Sequence, residues 1–354
     1  SSRDDSFSLI RITSFIFKNY VFKIEGGILM QRIDIARELM LNLLRIDSPS
    51  GDEEAIAKYL YDVLEDLGLN THLEHISGKS YNVIVNDLRD PELLIATHMD
   101  TIKTLEYPKI IGETEIAGTG ACDAKGSIVS MILALMDLDS IDDVSFAIFS
   151  DEEVSGSGSM HYLRYHRPKY VLILEPTELN VCLEGFGAIE GVIHLTTRRI
   201  HPSVANEFWR EHSILRTIEL INVLTREFES SGFRFTIYAL NCGCKDEFFT
   251  PKSCEIAFDI SIPPEKTSSQ CLSMLHKLSR KYSFDYVVTE YSVPFKTSSE
   301  KFINRLREAY RRTFGTDPKF VPMPSWTDAN NFASHNVPVA IFGPGSLAVA
   351  HSEI

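Results

Sequence analysis

Five stretches of this sequence place imidazole or carboxylate groups where a short apolar run ends. Run 92–97 leads into His98-Met99-Asp100, and run 144–150 into Asp151-Glu152-Glu153. Run 170–174 leads into Glu175-Pro176-Thr177, and run 337–342 into Gly343-Pro344-Gly345 with His351 close behind. The fifth stretch, Gly118-Thr119-Gly120-Ala121-Cys122-Asp123, opens onto an apolar helical pattern at 125–138. Imidazole and carboxylate are ligands for borderline divalent cations such as Zn²⁺. Two histidines and several carboxylates suffice for two such ions sharing one carboxylate, a centre that activates water and polarises a carbonyl. Each stretch alone has a plainer explanation. His-x-Asp is usually a surface turn, and Asp-Glu-Glu is usually a solvated helix start, since acids favour the first turn. What carries weight is the shared position: a parallel sheet brings the carboxyl ends of its strands to one rim, however far apart they lie in sequence.

The elements that must position these groups alternate in type. An amphipathic helix starts at Met30 (Ile33, Ala36, Leu39, Met40, Leu43, Leu44), the turn Ser48-Pro49-Ser50-Gly51 follows, and a second helix runs to about Leu67. Helical patterns at 125–138 and 158–165 separate the first three apolar runs, and another lies at 301–313. Alternating apolar runs and helices predict an α/β fold with a mostly parallel sheet and helices on both faces. The middle of the chain reads as strand 190–198, helix 206–229, strands 233–240 and 254–262, helix 270–282 and strand 284–291. That β-α-β-β-α-β order is ferredoxin-like. The expected organisation is an N-terminal extension at 1–29, a metal-binding catalytic domain at 30–183 and 295–354, and an inserted α+β domain at 184–294. Met30 is the expected natural start.

Composition excludes several classes. The chain has 354 residues, 44% apolar and 24% charged, which fits a globular enzyme. No apolar run approaches the roughly 18 residues that span a bilayer, so no membrane partner is expected. Lys plus Arg number 35 against 49 Asp plus Glu, a net charge of −14, the opposite of a nucleic-acid binder. Six Cys make no disulfide framework, and Cys242 and Cys244 are read as core or strand residues of a cytoplasmic protein.

Together the motifs Thr97-His98-Met99-Asp100-Thr101, Gly120-Ala121-Cys122-Asp123-Ala124-Lys125-Gly126, Asp151-Glu152-Glu153, Glu175-Pro176-Thr177 and Gly343-Pro344-Gly345 with Ala350-His351 resemble the co-catalytic zinc peptidase and deacylase family. That family includes acetylornithine deacetylase, succinyl-diaminopimelate desuccinylase, aminoacylase and several dipeptidases. The resemblance runs from about Met30 to the last residue. It implies two divalent metal ions, zinc or cobalt. His98 and Glu175 would hold one, Glu153 and His351 the other, and Asp123 would bridge them. It implies that Asp100 orients His98, that Glu152 is the general base, and that the inserted domain forms a homodimer. His201 would then stabilise the oxyanion in the partner's site. Relatives carry Asn where this chain has Phe248, and a carboxylate-gripping Arg where it has Ser261; Arg198 or Arg199 is the candidate substitute. Ser325-Trp326-Thr327-Asp328 resembles the family's substrate loop, and reads equally as a helix N-cap. Relatives continue past His351 into a further helix, so the resemblance implies that the sequence printed stops short.

In motif style the chain looks most like the acetylornithine deacetylase group, which includes hydrolases releasing lysine or ornithine from an amino-group carrier protein. The expected substrate is therefore a small N-acyl amino acid or a carrier-linked one. A dipeptidase or carboxypeptidase with the same centre is the alternative among enzymes. A non-catalytic scaffold is the alternative outside them, and the intact acid and histidine set argues against it.

Overall fold

In a computed structural model, residues 28–103, 107–111, 115–243 and 248–350 are described. The expectations for residues 1–27, for Cys244 and for His351 lie outside them.

The chain divides into two compact units, the second comprising Glu184–Lys296 with Pro324–Trp326. In the first unit, α1 (Ile28–Leu44) and α2 (Glu54–Asp66) precede β1 (Thr71–Ser77), β2 (Ser80–Val85) and β3 (Leu93–His98). A short hairpin, β4 (Lys109–Ile111) and β5 (Glu115–Ala117), leads to a turn at Ala121–Lys125 and to α3 (Gly126–Leu135). There follow β6 (Val144–Phe149), α4 (Ser157–Tyr165), β7 (Val171–Ile173) and β8 (Val181–Gly185).

In the second unit come β9 (Gly187–Thr196), α5 (Ser213–Ser230), β10 (Arg234–Cys242), β11 (Ser253–Ile262), α6 (Ser268–Tyr282), β12 (Asp285–Tyr291) and β13 (Phe295–Lys296). The chain returns to the first unit with α7 (Glu300–Phe314), β14 (Phe320–Met323), α8 (Asp328–Ser334) and β15 (Val339–Ile341).

The first unit's sheet runs β1-β2-β6-β3-β7-β15-β8, with β14 beside β8. The central strands β6, β3, β7 and β15 are mutually parallel, and they are the four apolar runs read from sequence. Their side chains are buried on both faces, which is why they read as unbroken apolar runs. β1, β2 and β8 pair antiparallel at the flanks and alternate less cleanly. Phe146 and Ile148 share one core with Leu43, Leu60, Ile128 and Leu306 from α1, α2, α3 and α7. Phe149 points the other way, against Tyr162 of α4 and Phe332 of α8. Helices thus cover both faces.

The helix expected at 301–313 is α7, its buried stripe Phe302, Arg305, Leu306 and Ala309 spaced as an amphipathic helix requires. Arg305 closes on Glu92 at 2.9 Å, and Phe302 stacks on Tyr170 with ring centroids 4.8 Å apart.

The second unit carries a four-stranded antiparallel sheet in the order β10-β11-β9-β12, the ferredoxin-like arrangement. Leu220, Leu224 and Phe228 of α5 and Leu275 of α6 pack on Ile193, Ile256 and Phe258 of one sheet face. One expectation is corrected here and another is extended. The helix expected from 206 begins at Ser213, because Pro202–Glu211 forms a 3₁₀ segment in which Phe208 has non-helical angles. Cys242 is the strand residue expected, at the end of β10, where it also faces Cys254 across the β10–β11 ladder and is disulfide-bonded to it. No sequence spacing marks that partner, since it is set by strand register. No described helix is long and apolar enough to cross a membrane.

Phe302→Ala removes a fully buried ring that α7 uses to grip the sheet. It should destabilise the first unit by about 3–5 kcal/mol in urea unfolding. A change under about 1 kcal/mol would contradict that packing.

Candidate metal centre

His98 ends β3 with its ring fully buried. Parallel register sets His98 opposite Phe149 of β6 and Ala96 opposite Ile173 of β7, so the residues just beyond β6 and β7 arrive beside it. The Nε2 atom of His98 lies 3.1 Å from Asp123 Oδ1, 3.8 Å from Glu175 Oε2 and 3.9 Å from Glu152 Oε2. Three carboxylates from three connections crowd one nitrogen. The turn carrying Asp123 needs Gly120 at its start: φ is +80°, and a Cβ there would stand 2.4 Å from Thr101 Cγ2. Gly343, after β15, brings backbone so close to Glu175 that a Cβ would meet its carbonyl oxygen at 2.4 Å.

Asp100 ties two of these strand ends together. The Nδ1 atom of His98 donates to the Asp100 backbone oxygen at 2.9 Å, with Asp100 Oδ1 3.4 Å away. The fully buried Asp100 carboxylate accepts the N–H groups of Glu152 and Glu153, each at 3.0 Å, and the Ser50 hydroxyl at 2.7 Å. Ring orientation and loop position therefore share one anchor. An Nδ1–H committed to Asp100 leaves Nε2 as the ligand atom.

Burying so many acids has electrostatic consequences. Burial pushes the Glu152 carboxyl well above the ordinary range, and Glu175, Asp328 and Glu153 push the same way against the opposing pull of His98. Glu175 is raised likewise, by burial and then by Asp123, Asp328 and Glu153. Burial alone would lower His98, but Glu152 and Glu175 overcome it and hold the imidazole well above its usual value. Asp100 moves the other way: burial opposes ionisation, while His98, Ser50 and the Glu153 amide favour it and win. These directions belong to a cluster in which acids and imidazole share too few protons.

The donor set suits a divalent cation. His98, Asp123 and Glu175 each offer a ligand atom, all within 4.8 Å of one another. Glu175 Oε1 is buried with no hydrogen-bond partner, a cost that a cation would remove. A cavity of about 530 Å³ borders the cluster, lined by Asp123, Glu153, Thr101, Ile102 and Ile116 among others.

The structure thus brings His98, Asp100, Asp123, Glu152 and Glu175 together and sets Glu153 on the same cavity. His201 lies in the second unit, exposed, its Nδ1 accepting from the Ser203 N–H at 3.2 Å. Arg198, a candidate for the missing Arg, is ion-paired with Glu211, and Arg199 stacks on Phe249 at 4.2 Å. Ser261 donates to Asp259 at 3.0 Å. Thr327 is the N-cap of α8, with Asn330 completing a capping box. The adjacent Asp328 was singled out only as part of that turn. It is a buried acid that accepts from Ser159, and burial first of all pushes it up to about 7. Sequence offered no signal for it beyond an acid at a helix start.

An α/β fold with acids and imidazole gathered at its strand ends defines a metal-binding hydrolase. The chain belongs to Peptidase family M20/M25/M40, which it matches over residues 94–354. A curated relative from Sulfurisphaera tokodaii, the [LysW]-lysine/[LysW]-ornithine hydrolase, is 28% identical over 325 residues, covering 89% of this chain and 88% of its own. A putative hydrolase of the same description from Pyrobaculum aerophilum is also 28% identical, over 89% of this chain and 90% of its own. Among solved structures, an M20 family metallo-carboxypeptidase from Sulfolobus solfataricus matches with TM-score 0.67 at 17% identity, over 90% of this chain and 93% of that one. That last likeness shows the fold alone.

Metal binding should release protons. A cation needs the neutral imidazole, whereas Glu152 and Glu175 keep His98 protonated in the metal-free chain. Below the His98 pKa, apparent Zn²⁺ affinity should rise with pH, by about tenfold per unit for each proton displaced. Calorimetric heats should vary with the buffer's ionisation enthalpy. Affinity flat across pH, with buffer-independent heats, would remove His98 from the ligand set.

Proposed function

We propose that this protein is a two-metal amidohydrolase that releases lysine or ornithine from a carrier protein by cleaving the amide bond between them. The observation that carries the reading is the His98–Asp123–Glu175 group, with His98 and Glu175 buried, Asp123 half-buried and Glu152 beside it. The near full-length relatives described as carrier-lysine and carrier-ornithine hydrolases support the substrate class.

His98 and Glu175 would hold one cation, Glu153 and His351 the other, with Asp123 shared between them. Bound there, divalent cations, zinc or cobalt, supply Lewis acidity toward the amide carbonyl and make water acidic enough to attack it. Glu152 takes the proton of the attacking water. Its Oε2 lies 3.9 Å from His98 Nε2, within reach of the site where that water would stand. It then returns the proton to the leaving nitrogen, and the amino acid departs as the amine product. Asp100 keeps the His98 ring and the Glu152 loop fixed throughout, so no reorganisation is needed at the moment of reaction.

A homodimer through the second unit completes the reading. α5 exposes Ile214, Leu215 and Ile218, and the edge strand β10 exposes Tyr238 and Leu240, apolar surface that supports a second copy. His201 would then stabilise the oxyanion in the partner's site. His201→Ala should lower kcat about 10²-fold with metal content intact. An unchanged kcat would dismiss the residue.

The decisive assay sets carrier-linked lysine beside N-acetyl-lysine, N-acetyl-ornithine and several dipeptides, for wild type and Glu152→Gln. We expect the carrier-linked substrate to be preferred, and Glu152→Gln to bind metal normally while losing about 10²–10⁴-fold in kcat. Dipeptides turned over faster than any lysine or ornithine derivative would replace the substrate class. Full activity in Glu152→Gln would overturn the base.

A further inference from the structure

Glu53 is a fully buried acid with no part in the chemistry above. It stands at the N-cap of α2, yet its side chain caps nothing there. Its Oε1 accepts the Gly51 N–H at 2.8 Å and the Asp151 N–H at 3.1 Å, and its Oε2 accepts the Ser80 hydroxyl at 2.7 Å. Asp151 immediately precedes Glu152 and has φ of +61°, a left-handed conformation uncommon for a residue with a side chain. The next two amides, those of Glu152 and Glu153, donate to Asp100. Three consecutive N–H groups of this loop therefore end on buried carboxylates.

The segment that carries Glu53 also grips the neighbouring strand end. Ser50 donates to the Asp100 carboxylate at 2.7 Å. The Ser48 hydroxyl donates to the Met99 carbonyl and the Thr101 N–H to the Ser48 carbonyl, each at 2.9 Å. A stretch of sequence that reads as a simple turn touches both loops that carry the imidazole and the base.

We propose that Glu53 is a positioning residue for the base: by holding the Asp151 amide in its left-handed turn, it fixes the direction in which the Glu152 side chain leaves the backbone. Segment 48–53 is then a clamp that keeps His98 and Glu152 in fixed relation. The catalytic half of this proposal rests on Glu152 being the base; the clamp itself does not.

The test compares Glu53→Ala and Glu53→Gln in the metal-loaded full chain. It reads amide hydrogen exchange of segment 150–157, metal content, and kcat and KM on the substrate the wild type hydrolyses fastest. A glutamine oxygen still accepts both amides and its NH₂ donates to Ser80, so Glu53→Gln should stay within about threefold of wild type in loop exchange and kcat. In Glu53→Ala, loop exchange should quicken and kcat fall, each by about tenfold or more, with KM and metal content within about twofold. Should Glu53→Ala fail to fold, Glu53→Asp, one methylene too short to reach, serves the same comparison. Unchanged loop exchange in the shortened variant overturns the clamp. Equal damage in Glu53→Gln, or metal lost in step with kcat, overturns the positioning role. Full activity in Glu152→Gln removes the catalytic half and leaves the exchange result standing, so the two failures are told apart.

Discussion

Negative charge buried without a counter-charge is among the most expensive things a fold can contain. Around one imidazole this chain buries Glu152, Glu175, Asp100 and Asp328, with Asp123 and Glu153 at the edge of the same cluster. Such a cluster is relieved by taking up protons, the direction in which Glu152 and Glu175 are pushed, or by a positive charge larger than one protonated histidine supplies. Divalent cations, which the donor set of His98, Asp123 and Glu175 suits, would provide that charge.

The sheet makes that concentration possible. Parallel pairing delivers four strand ends at one level, and each end turns into a loop whose backbone is tied down. Asp100 anchors the loop after β6 while orienting His98 at the end of β3, so the two cannot drift independently. Lys125, buried after the Asp123 turn, donates to the carbonyl oxygens of Leu43 and Ile46 and so fastens that turn to the end of α1. Burial drops its pKa to about 8, against the opposing pull of Asp47. Catalytic geometry of this kind depends on such supporting contacts as much as on the reacting groups.

Much of this was legible in the sequence. The parallel strands β3, β6, β7 and β15 announce themselves because burial on both faces leaves no polar alternation, and the acids and His98 follow directly at their ends. The β-α-β-β-α-β unit was legible because its strands alternate and its helices are amphipathic. What was hidden depends on partners distant in sequence. Strands β1 and β2 carry a mixed pattern, since β1 is only half-buried. Cys254 lies opposite Cys242 only through strand register. Glu53 and Asp328 look like ordinary acids at helix starts, where such residues are common. Only tertiary packing turns the first into an acceptor for the Asp151 amide and the second into a neighbour of the His98 cluster.

The most direct test is anomalous diffraction at the zinc absorption edge from crystals of zinc-loaded protein. The account predicts two peaks per chain, about 3.5–4 Å apart, with Asp123 between them, His98 and Glu175 on one, and Glu153 on the other. Peaks away from His98, or an imidazole and carboxylates that remain metal-free under saturating zinc, would contradict it.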